Sequence, residues 1–429
     1  MAKIKKQFTV IKGMHDILPE DFKLFAAVKS IIDKFASFYN FSPIETPVLE
    51  SLELFERSSG QSTEVVQKQM FSLLTKGGDA LAVRPEGTPG IVRAYIEHGL
   101  SHAPHPLKLY YYGYMFRYEK PEAGRYRQFH QAGFEIFSNE IDPIYDVQAI
   151  LTSDRILEAI GIKNLTVQIN SIGDKNCRPP YLKKLIKYYK SKSKLLCADC
   201  KERLKKNPLR LLDCKEDQCQ ELKLEAPKLL DFLDSNCRNH FRRVLEYLED
   251  LHIPYMLNTS LVRGLDYYTK TVFEITAEGL DASLAGGGRY DYLAELLGGR
   301  KTPAVGVAIG IERVIEIIKA HNINLPMPKV KSKIFISQIG EAAKKKALSL
   351  IEDLRNEGIL VAEALGKDSL RAQMKMADRY GADIGLILGQ REVYEETIIV
   401  RDLKSGVQET VPLKRLAEEL KKRLKTVGR

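Results

Sequence analysis

Arg117, Glu119, Arg125 and Arg127 fall within eleven consecutive residues, between two aromatic runs of the stretch LKLYYYGYMFRYEKPEAGRYRQFHQAGFEIFS, Leu107 to Ser138. A guanidinium stays charged at any physiological pH and can bind two oxygens at once, so arginines grouped in this way suit a phosphate. Further on, Gln131, Gly133 and Glu135 alternate with His130, Ala132, Phe134 and Ile136. Alternating residues of a strand point to opposite faces. The mostly apolar set therefore belongs to a core. The other face offers an amide and a carboxylate about 13 Å apart, with a glycine between them that leaves room for a ligand. The same pattern also describes an ordinary amphipathic hairpin with a solvated charged turn.

Three other stretches carry reactive residue types. RPEGTP, Arg84 to Pro89, supplies Glu86 and Thr88 ahead of a helical run, where Thr88 followed by Pro89 reads as an N-cap. LVRGLDYYTKTVFE, Leu261 to Glu274, places Arg263, Tyr267 and Tyr268 before an aromatic strand, and SLAGGGRYDYL follows it. PAVGVAIGIERVIEII, Pro303 to Ile318, is a buried strand running into a helix with Arg313 near its start. Cys197 and Cys200, then Cys214 and Cys219, form a C-x2-C and a looser C-x4-C. Two such pairs can hold a tetrahedral zinc, but the loose second spacing favours free thiols.

The elements that position these residues follow from periodicity and breakers. Leu24, Val28, Ile31, Ile32, Phe35 and Phe38 form an apolar helical stripe, and Pro43 and Pro47 mark a strand after it. A helix over Asp142 to Leu157 and a strand over Leu165 to Ser171 are expected. Tyr181 to Arg210 carries eleven Lys/Arg against Asp199 and Glu202, either a solvated helical block or a phosphate-binding face. Pro326 and Pro328 mark a linker, and the alternating strands and helices beyond it imply a compact α/β domain.

The 429 residues are too many for one ordinary domain. A hydrophobic share of 44% with 28% charged residues describes a soluble globular chain, and the net charge of +10 favours a polyanionic partner. No secretory signal or membrane-length apolar run is present, so a cytoplasmic location and reduced cysteines are expected.

FRYE with GRYRQFHQAGFEIF resembles motif 2 of the class II aminoacyl-tRNA synthetases in the form used by the histidine–tRNA ligases. RGLDYY and AGGGRYD resemble the two peptides that mark that family, the first helix and strand resemble motif 1, and the segment around Arg313 resembles motif 3. The resemblance implies an α+β catalytic domain on an antiparallel sheet over residues 1–325, interrupted by a helical insertion at 175–255. A linker at 326–332 and an anticodon-binding α/β domain at 333–429 would follow. It implies ATP-dependent attachment of L-histidine to tRNA(His), with Mg2+ on the ATP and a homodimeric assembly. Arg117, Arg263 and Arg313 would be the electrostatic clamps. Arg117, Glu119, Arg125 and Arg313 would hold ATP, and Glu86, Thr88, Arg117, Gln131, Glu135, Arg263, Tyr267 and Tyr268 would hold histidine. The alternative is a synthetase-like subunit that senses histidine without charging tRNA.

Overall fold

The computed structural model describes residues 8–60, 63, 65–121, 124–278, 283–326 and 333–427. It divides into two compact units, Met1–Met327 and Pro328–Arg429. Apart from Pro326, the expected linker lies outside the described residues.

The larger unit is built on an eight-stranded sheet. Its strands run in the order Ser42–Pro43, Leu107–Phe116, Gln128–Phe137, Ala304–Gly310, Ala285–Arg289, Thr269–Ala277, Leu165–Ser171 and Tyr255–Leu257. The central pairings are antiparallel, and only the short strand at each edge runs parallel to its neighbour. The alternation on Gln128–Phe137 sets its two faces. Ala132, Phe134 and Ile136 are fully buried in the main core. Val28 and Ile32, Val147 and Ile150, Phe241 and Val244, and Val314 and Ile318 cover them from helices Pro19–Phe38, Pro143–Ile160, Ser235–Asp250 and Ile311–Ala320. Phe38 departs from the expected stripe. It is 79% exposed, because the inward positions are Phe25, Val28, Ile32 and Ala36 and the helix ends at Phe38, on the opposite side.

The other face of the sheet carries Leu109, Tyr111, Tyr267, Tyr268 and Tyr290 in a second core. Helix Arg178–Ser191 and a run of short helices and turns to Phe232 add Tyr181, Leu185, Leu211, Leu212 and Leu229 to it. A small antiparallel sheet of Leu49–Ser51, Ala80–Val83 and Phe71–Leu74, unmarked in the sequence because its strands are so short, stands beside the first motif.

One network locks the sheet to the helical layer. Arg289, fully buried, donates from Nε to both Asp146 carboxylate oxygens at 3.0 and 3.2 Å, and its Nη2 bonds Asp146 again. Its Nη1 reaches Asp291 at 3.1 Å, and His240 Nε2 lies 3.3 Å from Asp146. Burial works to raise the Asp146 carboxyl, but the Arg289 charge together with the His240 and Arg289 hydrogen bonds holds it well below its usual range.

The smaller unit has five strands in the order Val361–Glu363, Ile334–Gln338, Ile384–Leu388, Thr397–Asp402 and Gln408–Pro412, the first three parallel and the rest antiparallel. Its two central parallel strands are buried along their whole length, as a strand covered on both faces must be. Among the described residues no helix is long and apolar enough to cross a membrane.

Candidate active site

A cleft of about 120 Å3 opens on the face of the large sheet that carries Gln131, with the start of helix Ile311–Ala320 at its side. Arg117, Glu119, Arg125, Gln131, Arg263 and Arg313 all line it, drawn from the hairpin, the RGLDYY loop and the last helix of the unit. Six residues singled out in the sequence are thus brought to one space. Arg117, one residue past its strand, donates from Nε to the Pro85 carbonyl at 2.9 Å and lies 3.8 Å from Glu119. Arg313 donates to the carbonyls of Gly124 (3.2 Å) and Ser283 (2.6 Å), which pin it at the mouth. Burial lowers its pKa, and the neighbouring Arg125 and Arg117 charges lower it further, as a site built for an anion requires. Arg263 pairs with Glu274; burial works to lower its pKa, but Glu274, Tyr268 and Tyr267 together raise it.

Two buried polar atoms in this cleft, Gln131 Oε1 and Arg263 Nε, have no hydrogen-bond partner among the described residues. A buried donor or acceptor left without a partner costs about 1–3 kcal/mol, so these atoms mark where a ligand's polar groups belong.

Behind the arginines lies a buried polar cluster. Glu86 accepts from Tyr267 Oη at 2.7 Å and from Ser59 Oγ at 2.9 Å. Glu135, 1% exposed, accepts from Thr88 Oγ1 at 2.7 Å and from the Tyr290 hydroxyl. Burial raises both carboxyls, and Glu135 reaches about 7 even though its two hydroxyl donors pull it down. Thr88 is therefore not the N-cap its sequence position suggests. Gly87 occupies that position, no side chain caps the helix, and the Thr88 hydroxyl is given to Glu135 instead.

Space in the cluster is set by glycines. Gly133 pairs with Tyr111 across the hairpin, and a Cβ at 133 would collide with the tyrosine ring. Along AGGGR, a Cβ on Gly286 would meet the Arg263 guanidinium, one on Gly287 the backbone of Gly306, and one on Gly288 the Thr271 carbonyl and the Tyr268 ring. The glycine triplet is thus explained by three different neighbours.

Tyr111, Tyr290, Ser59 and Glu274 belong to the site but were not singled out in the sequence. Tyr290 stands inside the AGGGRYD peptide, which was the one readable signal, and the placing of Tyr111 opposite Gly133 comes only with the register. The four cysteines come together, with their sulfurs all within 4.8 Å of one another, but none lines the cleft. None of the six cysteines is in a disulfide.

Comparison with known proteins agrees with this geometry. Residues 13–314 match the family described as histidyl-tRNA synthetase, and residues 333–423 match the anticodon binding domain. The histidine–tRNA ligase of Dehalococcoides mccartyi is 43% identical over 96% of this chain and 99% of its own, and that of Thermodesulfovibrio yellowstonii is 43% identical over 98% and 100%. The crystal structure of apo histidyl-tRNA synthetase from S. aureus superposes with a TM-score of 0.79 at 36% identity, covering 96% of this chain and 99% of that one.

Proposed function

The chain belongs to the histidyl-tRNA synthetase family, and from that premise we infer how its residues carry out the family's reaction. The enzyme is a histidine–tRNA ligase: it activates histidine with ATP and transfers it to tRNA. The regulatory alternative is the less supported, since the relatives carrying the ligase name match this chain from end to end and the anticodon-binding region is present.

In the first step the histidine carboxylate attacks the α-phosphorus of ATP, and diphosphate leaves. In the second, a terminal ribose hydroxyl of the tRNA attacks the adenylate carbonyl, and AMP leaves. Both steps build negative charge at phosphate or carbonyl oxygens, and the side chains needed are fixed cations rather than acids. Arg117 and Arg263 hold the α-phosphate and the attacking carboxylate, Arg313 grips the outer phosphates, and Glu119 and Arg125 complete the ATP site. The convergence of these side chains on one cleft, beside two unpartnered buried atoms, carries the reading.

Mg2+ supplies neutralisation of the triphosphate when bound. The donor set fits a metal held mainly by phosphate oxygens. Glu312, which also lines the cleft, is engaged with His130 through both carboxylate oxygens, leaving Glu119 as the available carboxylate.

The polar cluster behind the arginines takes the amino acid. Gln131, Glu86 and Thr88 face its α-amino end and Tyr267 closes the pocket. Glu135 and Tyr268 recognise the imidazole, a neutral ring with one donor and one acceptor. Within the cluster Tyr267 donates to Glu86 and Thr88 donates to Glu135, which fixes both carboxylates in the pocket.

A homodimer is supported by exposed apolar side chains on the first helix and the strand after it, Phe22, Phe38, Val48 and Leu49. The enzyme acts in the cytoplasm. Exchange of labelled diphosphate into ATP, measured with each standard amino acid and no tRNA, tests the assignment. Exchange with histidine alone is expected, and exchange with no amino acid, in protein that still binds histidine, would overturn it in favour of a sensor.

A further inference from the structure

We propose that Cys197, Cys200, Cys214 and Cys219 form a structural zinc site that holds the turn from Asn207 to Asp213 against the active-site loop carrying Arg263, Tyr267 and Tyr268. The four Sγ atoms all lie within 4.8 Å of one another, and Cys197 Sγ is 3.8 Å from Cys214 Sγ. A tetrahedron of zinc–sulfur bonds of about 2.3 Å has edges of about 3.8 Å. A disulfide needs its sulfurs at about 2.05 Å, so this spacing suits a shared cation and not a covalent bond.

The surroundings also suit thiolates. The Cys200 amide donates to Cys197 Sγ at 3.4 Å, and the Cys197 amide donates to Cys219 Sγ at 3.5 Å. A neutral thiol is a weak acceptor, and two backbone donors spent on sulfur are better matched by metal-bound thiolates. Cys200, Cys214 and Cys219 are 0%, 3% and 2% exposed, so the site is closed by protein, as structural zinc sites are. Soft sulfur ligands in tetrahedral array select zinc over harder divalent ions. The elements they join are short: Ser193–Leu195, Ala198–Lys206, Pro208–Asp213 and Asp217–Leu224. Segments of this length gain most from a metal staple.

A second cluster, Asp174, Cys177, Asp234 and Cys237, gives the contrast. Its acceptors are already used. Asp174 takes the amides of Asn176 and Cys177 and lies 3.3 Å from the Lys270 ammonium, while Asp234 takes the Cys237 amide at 2.8 Å. A resident ammonium group fills the cationic role there.

The staple reaches the reaction through one short path. Helix Ala198–Lys206 starts on the cysteine cluster and ends at Asn207, whose Nδ2 donates to Asp266 Oδ1 at 2.8 Å. The Asp266 amide donates to the Ser59 carbonyl at 3.2 Å, and the Ser59 hydroxyl donates to Glu86. This second half of the inference rests on the active-site reading above, and the metal site itself does not.

The test separates the two. Metal analysis of the full chain, purified under reducing conditions without chelator, is expected to give about one zinc per chain. After chelator treatment, Co2+ should produce the absorption of a tetrahedral tetrathiolate, saturating at about one equivalent. Cys214→Ser should lose both signals and Cys237→Ser should keep both. Protein with all six thiols titratable that holds no zinc and gives no cobalt–thiolate band overturns the site, whether or not the serine variant folds. Stripped enzyme should show a several-fold higher KM for histidine with little change in kcat, restored by zinc. An unchanged KM in metal-free, folded protein overturns the link to the loop.

Discussion

Tyr111 and Gly133 are direct cross-strand partners, and the ring of the first occupies the volume that any side chain on the second would need. Gly133→Ala therefore displaces the Tyr111 ring, which Gly87 also closes in. Overpacking of this kind costs about 1–3 kcal/mol. Histidine KM should rise at least tenfold while ATP KM changes little. Steady-state kinetics of diphosphate exchange decide the matter, and equal losses for both substrates would place the damage outside the histidine pocket.

Glu135 gives a pH signature. Its folded-state pKa of about 7 lies above the ordinary 4.5, so the native state binds more protons than the unfolded one between those values. Its contribution is complete below about 4.5 and is lost as pH rises to about 7. At about 1.4 kcal/mol per pKa unit, the ligand-free enzyme loses up to about 3 kcal/mol across that window from this group. Glu135→Gln, which cannot ionise, should stabilise the enzyme at pH 8 and not at pH 4.5, with poorer use of histidine at both. A thermal shift that is the same at the two pH values would refute the assignment.

Arg263→Lys keeps the charge but loses the planar fork that spans Glu274 and the cleft. Loss of one fixed transition-state donor costs about 10²–10³ in kcat. Single-turnover formation of the adenylate should slow by that order, with circular dichroism unchanged. A near-normal rate would remove Arg263 from the clamp.

Arg289→Met leaves the Asp146 carboxylate buried without its main counter-charge. Breaking a buried pair in this way costs about 3–5 kcal/mol, whereas replacing both partners by apolar groups is often neutral. The single variant should melt far lower than the Asp146→Leu, Arg289→Met double variant. Because the Asp146 carboxyl is held low, the wild-type contribution is present at neutral pH and lost as pH falls below the ordinary carboxylate range.

Much of this was legible in the chain, and the limits were physical. The strand Leu165–Ser171 and both hairpin strands could be read because their apolar runs end at breakers. Which of Tyr110, Tyr111 and Tyr112 faces the site depends on register, and three tyrosines in a row hide it. The bond from Tyr290 to Glu135 spans 155 positions and exists because Ala304–Gly310 lies between their strands, a sheet order that no local pattern encodes. The N-cap reading of Thr88 fails for the related reason that a hydroxyl at a helix start has two uses, and the buried carboxylate that decides between them arrives from another strand.

The glycine triplet also bears on how freely the gene can drift. Gly286, Gly287 and Gly288 are each closed to a Cβ by a different neighbour: the Arg263 guanidinium, a backbone and an aromatic wall. No single compensating change can relieve more than one of them. In a saturation mutagenesis library selected for growth, these three codons should be a block with almost no accepted replacements, while the exposed positions of the neighbouring helices vary widely. The evolutionary rigidity of the peptide then follows from where its three neighbours stand.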